Sequence, residues 1–221
     1  MDTIQTIVQF FQTGGTFMYP ILIIFAFGAA ICIERYIKLS GIGKVNKRVW
    51  DKVHPLLDGG DFDQARDSIV DDKSAIANLL NMGLSRQGSV RRRDDIEIAM
   101  EESMMEIIPT LEKRTPFIAL FANICTLLGL LGTIMGLIEA FTAVANADPA
   151  EKADMLSASI SVAMNTTAFG LMAAIPLLIT HAIISSKTVE IIDSLEMASV
   201  KTLNIIADFA KRQAALAAKN G

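Results

Sequence analysis

The residues of this chain with chemical potential are few and sit inside apolar sequence. Residues 127–141 read Leu-Leu-Gly-Leu-Leu-Gly-Thr-Ile-Met-Gly-Leu-Ile-Glu-Ala-Phe, placing Thr133 and Glu139 among leucines and glycines. A second segment, residues 165–176, reads Asn-Thr-Thr-Ala-Phe-Gly-Leu-Met-Ala-Ala-Ile-Pro. A hydroxyl in such a segment can satisfy itself on the carbonyl one turn back, so one threonine is cheap. Asn165, Thr166 and Thr167 in succession, at a depth similar to Thr133, make a denser polar cluster than self-satisfaction requires. Glu139 is an intramembrane acid and therefore a functional candidate, because its charged form is costly unless paired or hydrated. It lies six residues beyond Thr133 and about 120° around a helix, nearer the interface than the midplane. Its bland alternative is a water-exposed carboxylate or a structural hydrogen bond.

Spacing arranges these residues in stripes. Thr126, Gly129, Thr133, Gly136 and Ala140 share one face of a helix, and Ala163, Thr167, Gly170 and Ala174 share a face of another. Two small, weakly polar stripes permit close helix approach, as in small-xxx-small contacts, or line a narrow polar passage in an oligomer. Gly132 and Gly136 are four apart and suit packing. Asn165 falls on a different face from Thr167 and is a candidate bridge between subunits, while Pro176 is expected to kink its helix.

The elements that hold these stripes are membrane spans. Of 221 residues, 52% are hydrophobic and 20% charged, and the apolar residues fall in blocks. Three blocks, at residues 17–37, 117–144 and 157–184, are long enough to cross a hydrocarbon core about 30 Å thick. No Lys or Arg precedes the first, so it reads as a retained span and not a signal peptide. Arg35, Lys38, Lys44, Lys47, Arg48, Lys113, Arg114, Lys187, Lys201, Lys211 and Arg212 flank one side of the spans, against Lys152 on the other. The positive-inside rule then puts the N-terminus outside and the C-terminus in the cytoplasm.

The expected organisation is an all-α membrane protein with three transmembrane helices, two of them extended far into the cytoplasm. Residues 1–16 would form an external amphipathic helix, with Ile4, Ile7, Val8 and Phe11 on one face, and 17–37 the first span. Residues 38–93 would be a cytoplasmic helical insert with turns at 41–43, 58–60, 71–72 and 88–89. Within it Asp61 would cap a helix at 62–70 and Ser74 one at 75–84. Residues 94–144 would be one long helix containing the second span, bent or locally broken at Pro109 and Pro116. A periplasmic loop at 145–156, a third span with its extension at 157–212 and a tail at 213–221 complete the chain.

Several classes are excluded or disfavoured. No HExxH, GxSxG or phosphate-binding glycine loop occurs, so no enzyme and no cofactor is expected. Cys32 and Cys125 fall inside spans without metal or redox spacing, and His54 and His181 suggest no metal site. Arg91 to Arg93 are followed at once by acids and read as a solvated helix start, not a nucleic-acid contact.

The runs at 127–141 and 165–176 resemble the two signature segments of the ExbB/TolQ/MotA family, closest to the ExbB/TolQ branch, and the topology agrees. The resemblance implies an inner-membrane ion-channel motor subunit: a homopentameric ring around a dimer of an ExbD/TolR-like single-span protein whose membrane aspartate carries the ion. It implies proton transport, with sodium possible, in the service of a TonB-like or Tol-like outer-membrane process. Thr133 and Thr167 match the family's pore threonines, and Thr166, Glu139 and Asn165 join them as ion-pathway candidates. Gly129, Gly132, Gly136, Gly170 and Pro176 would pack the pore. Members often carry a glutamate where this chain has Val162, and Ala-Pro where it has Cys125-Thr126; Glu139 or Asn165 is expected to substitute in part for the missing acid. The alternatives are a sodium-driven or gliding-type motor of the same family, and a non-conducting scaffold.

Overall fold

A helix in lipid satisfies all its backbone groups internally, which leaves the three apolar blocks little choice of structure. The computed structural model describes residues 14–86, 93–145 and 148–220. Among them no strand occurs; the chain runs through α1 (Met18–Gly59), α2 (Phe62–Asp67), α3 (Ala75–Arg86), α4 (Arg93–Glu112), α5 (Thr115–Ala145) and α6 (Lys152–Asn220). Three stretches, in α1, in α4 with α5 and in α6, are long and apolar enough to cross a membrane. The protein is a multi-pass membrane protein. The external helix expected at 4–11 and the turn expected at 88–89 lie outside the described residues.

The chain divides into two units. The first joins residues 14–35 with 114–184, and the second joins 36–113 with 185–220. In the first, Ile21, Ile118, Ala122, Cys125, Ala163, Ala174 and Leu177 are buried. Around this narrow core many large apolar side chains stay exposed, Leu127, Ile134, Ile138, Phe141, Ile175 and Ile179 among them. Apolar exposure on that scale on spanning helices is surface for lipid or for other subunits. In the second unit Leu57, Ile69, Ile76, Leu79, Leu80, Met100, Leu111 and Leu195 form a buried core.

Three expectations are corrected. The glycines at 41 and 43 do not make a turn, because α1 is unbroken to Gly59. Leu39, Asn46, Val49, Val53 and Leu57 are buried at helical spacing across that point, and their burial outweighs the roughly 1 kcal/mol that each glycine costs a helix. The insert therefore begins as a continuation of the first span's helix. Second, the long helix expected over 94–144 is broken at one of its two prolines only: α4 runs through Pro109 and ends at Glu112, and α5 starts at Thr115, just before Pro116. Arg114 between them has φ 67°, the left-handed region, which costs a non-glycine residue roughly 1 to 2 kcal/mol. Pro116 then sits in the first turn of α5, where its missing N–H is harmless, and Pro109 is accommodated inside α4. Third, the loop after the second span is shorter than 145–156, since α6 begins at Lys152 and passes Pro176 without interruption.

Other signals read well. Gly60 has φ 81° and turns the chain between α1 and α2, closely approached by Phe209, whose ring meets Phe62 edge-on at 5.4 Å. The Ser74 hydroxyl accepts the Ala77 N–H at 3.3 Å and so caps α3. Asp61 precedes α2 but makes no side-chain cap.

Candidate functional site

The two stripes meet each other. A Cβ on Gly170 would lie 2.7 Å from the Cys125 carbonyl oxygen and 3.0 Å from the Gly129 Cα; one on Gly129 would lie 3.3 Å from the Gly170 Cα and the Thr166 oxygen. A Cβ on Gly136 would meet that of Ala163 at 3.0 Å. Backbone therefore passes against backbone along the α5–α6 seam, which only small residues permit. Of the two uses open to the stripes, close approach within one chain is what the glycines serve. Gly132 belongs to the same packing, since the space a side chain there would need is taken by the Thr166 methyl.

At this seam Thr133 and Thr167 are brought together. Their hydroxyls are in direct hydrogen-bond contact. The Thr167 hydroxyl also donates to the Gly129 carbonyl at 2.9 Å. The Thr133 hydroxyl reaches the same carbonyl at 3.3 Å and the Ala163 carbonyl at 3.2 Å. Two protons thus serve two carbonyls and one another. If Thr133 donates to Thr167 and Thr167 to Gly129, both lone pairs of Thr133 remain available to an outside O–H. If Thr133 turns to Ala163, its hydroxyl can receive from Thr167 instead. Both residues are half-buried, so neither is sealed inside the chain.

Hydroxyls do not titrate in the physiological range, and this pair can accept and orient a proton but not store one. The protonatable candidate in this chain, Glu139, is exposed and lies six residues along α5, about 9 Å of helix rise from Thr133. It makes no hydrogen bond or ion pair with another described residue. Asn165 is half-buried, likewise makes no such bond among the described residues, and lies on a different face from Thr167.

Thr166 stands apart from its neighbour. It is 2% exposed, donates to the Gly14 carbonyl at 2.5 Å, and reaches the Val162 carbonyl at 3.1 Å. It ties α6 to the segment that leads into α1 and faces the interior of the protomer. Val162 approaches the Gly15 backbone: a Cβ on Gly15 would be 3.3 Å from its Cγ1. Thr126 is satisfied on the Ala122 carbonyl at 3.2 Å, one turn back. Pro176 lies in α6 two turns beyond Gly170, and Thr180 uses its carbonyl at 2.8 Å. Sequence reasoning missed the part played by the Gly129 and Ala163 carbonyls and by Gly14. Only the packing of α6 reveals the Gly14 carbonyl as an acceptor.

At the far end of the same unit, Arg114 places Nη1 2.9 and 2.7 Å from the two Glu34 carboxylate oxygens. This pair joins the end of the first span to the start of the second, at the residue with positive φ.

A family model described as the MotA/TolQ/ExbB proton channel family matches residues 71–197, more than half of the chain and all of the threonine site. The chain belongs to the MotA/TolQ/ExbB proton channel family. Within it, a putative biopolymer transport protein ExbB homolog of Methanothermobacter thermautotrophicus is 26% identical over 87% of this chain and 67% of its own length. The Tol-Pal system protein TolQ of Haemophilus influenzae is 39% identical over 38% of this chain and 36% of its own. Biopolymer transport protein exbB1 of Vibrio cholerae is 46% identical over 27% and 26%. The chain thus spans about two thirds of the first relative and much less of the other two. These likenesses place it in the ExbB/TolQ branch of the proton channel family.

Proposed function

We propose that this chain is an ExbB-like motor subunit of a bacterial inner membrane. In this reading it assembles as a homopentamer around a dimer of an ExbD/TolR-like single-span protein and uses the proton motive force. The work would be delivered to a TonB-dependent or Tol-like outer-membrane process, through a TonB-like protein in the first case. The N-terminus would be periplasmic and the second unit and C-terminus cytoplasmic.

The observation that carries the reading is the Thr133–Thr167 pair on the Gly129 carbonyl. It is a neutral, orientable acceptor on a spanning helix, and it needs a titrating group brought by something else. A membrane aspartate of the partner meets that need: its protonated form would donate to Thr133, and its ionised form would accept from either hydroxyl. Glu139 and Asn165 would supply polar surface along the route, in place of the acid absent at Val162. Thr166, Gly129, Gly132, Gly136, Gly170 and Pro176 would hold the helices that present the pair.

Two experiments test this. Native mass spectrometry of the chain co-expressed with its genomic neighbours is expected to give a five-to-two assembly with a small single-span protein; a homo-oligomer without a partner would favour a scaffold. Thr133→Val and Thr167→Val keep size and remove the hydroxyl. In the assembled complex they are expected to abolish proton flux into vesicles without changing assembly, and retention of flux in the double variant would defeat the proposal.

A further inference from the structure

The second unit contains a cavity of about 720 Å³ whose walls are unlike a helix seam. On α1, Tyr36, Ser40, Lys44, Lys47 and Trp50 recur at helical spacing along it; on α6, Lys187, Ile191 and Ser194 do the same. Two helices that merely packed here would present aliphatic residues at these positions. Here three lysines, Lys44, Lys47 and Lys187, stand on the lining, with two exposed carboxylates, Asp51 and Glu190. Lys187 Nζ is held 4.7 Å from the centre of the Tyr36 ring.

A second observation concerns hydrogen bonding. Asn46 is 3% exposed and lines the cavity; its Oδ1 accepts the Ile76 N–H at 3.4 Å. Its Nδ2 finds no partner among the described residues, nor does the buried hydroxyl oxygen of Ser40, another lining residue. A buried amide donor left unpaired costs roughly 1 to 3 kcal/mol, so a partner from outside the chain, water or ligand, is called for here. Gly43 in the same wall is not demanded by packing, because a Cβ there would meet Ile191 only at 3.8 Å.

We infer that this cavity binds a phosphate ester with an apolar substituent: the phosphate oxygens taken by Asn46 Nδ2, Ser40 and the ammonium groups of Lys44 and Lys47, the substituent against Trp50, Ile76 and Ile191. Lysine serves phosphate as a mobile point charge and asparagine adds direction. The lining begins directly after the first and third spans, at Tyr36 and Lys187, so the ester can come from a phospholipid headgroup or from solution.

Trp50 is the one tryptophan in the chain and lines the cavity, so its emission comes from that wall. The full chain in dodecyl maltoside, which carries no phosphate, is titrated in one arm with phenyl phosphate and in the other with mixed micelles containing dioleoylphosphatidylglycerol. Phenyl glucoside and sodium chloride at matched ionic strength are the controls. A saturable change with phenyl phosphate alone identifies a soluble ester, with the lipid alone a headgroup, and with both the shared chemistry. Asn46→Asp keeps the oxygen that serves Ile76 and turns the free donor into an anion. It and Lys44→Gln/Lys47→Gln should each weaken binding at least about tenfold at unchanged oligomer size. The inference is overturned if neither probe exceeds the controls, if the lysine double variant binds as the parent does, or if acrylamide fails to quench Trp50 because another copy of the chain seals the cavity.

Discussion

Replacing Gly170 by alanine probes the seam at its tightest point. The new methyl would sit 2.7 Å from the Cys125 carbonyl oxygen, where ordinary contact begins at 3.4 Å, and 3.0 Å from the Gly129 Cα. Both obstacles are backbone, so no side chain can swing aside, and the helices must part by roughly 0.7 Å or tilt. Thr167 is three residues away on the same face, and its 2.9 Å bond to the Gly129 carbonyl would stretch past the useful range if the displacement passes along the seam. Overpacking of this kind costs about 1 to 3 kcal/mol and the lost hydrogen bond about 1. Alanine's better helix propensity returns roughly 0.5 to 1. The expected net loss is about 2 kcal/mol, a fall in Tm of roughly 4 to 8 °C for a chain of this size. Gly41→Ala is the internal control, because a Cβ there meets nothing within 4 Å and should stabilise by roughly 0.5 to 1 kcal/mol. Scanning fluorimetry of the detergent-solubilised protein, read by a dye because Trp50 is not part of the seam, compares the two. If Gly170→Ala melts with or above Gly41→Ala, the backbone contact does not hold the threonine pair, and the account of the glycines fails.

Other outcomes follow from the same geometry. Thr166→Val strands the Gly14 carbonyl and should lower stability by about 1 to 3 kcal/mol; in assembled complex at low temperature, flux per complex should stay near that of the parent, whereas a selective loss of flux would put Thr166 in the ion path. Glu139→Gln and Asn165→Ala are expected to assemble normally and to slow proton flux; fully active variants of both would remove the idea that either stands in for an acid at Val162. Glu34→Gln breaks a pair that is about half exposed on both sides, so chemical denaturation should register no more than about 1 kcal/mol. A larger loss would show that the Arg114 turn depends on that contact.

The spans and the pairing of Thr133 with Thr167 were legible because each follows from spacing. Twenty apolar residues can do little in lipid except form a helix, and two stripes of small residues invite contact. What spacing could not convey was depth of competition. Gly41 and Gly43 look like punctuation, but Val49, Val53 and Leu57 beyond them continue the periodicity of Leu39 and are buried with it, so the helix continues. Conversely the apolar rhythm of 94–144 runs through residue 114, while the chain breaks there because Arg114 takes a left-handed turn beside Glu34. Pairing across 80 residues leaves no local trace. Thr166 and Thr167 show the same limit most sharply. They are adjacent and chemically identical, yet a 100° step turns one to the Gly14 carbonyl and the other to Thr133.

That step also bears on how the site can work. A seam closed by glycine fixes the Gly129 and Ala163 carbonyls at 3.2 to 3.3 Å from the Thr133 oxygen, so the backbone that packs the helices is also the acceptor set for the hydroxyls. Rotation of one hydroxyl then moves a proton between carbonyls with no change in helix position. The cost is that of exchanging one hydrogen bond for another and not of leaving one unmade. A carboxyl arriving at Thr133 would find an acceptor when it is protonated and a donor when it is not. Alternation between those two states is what a carrier of protons requires of a neutral wall. Valine at both positions leaves the seam closed and the carbonyls in place, which is why loss of flux with intact assembly separates this mechanism from simple packing.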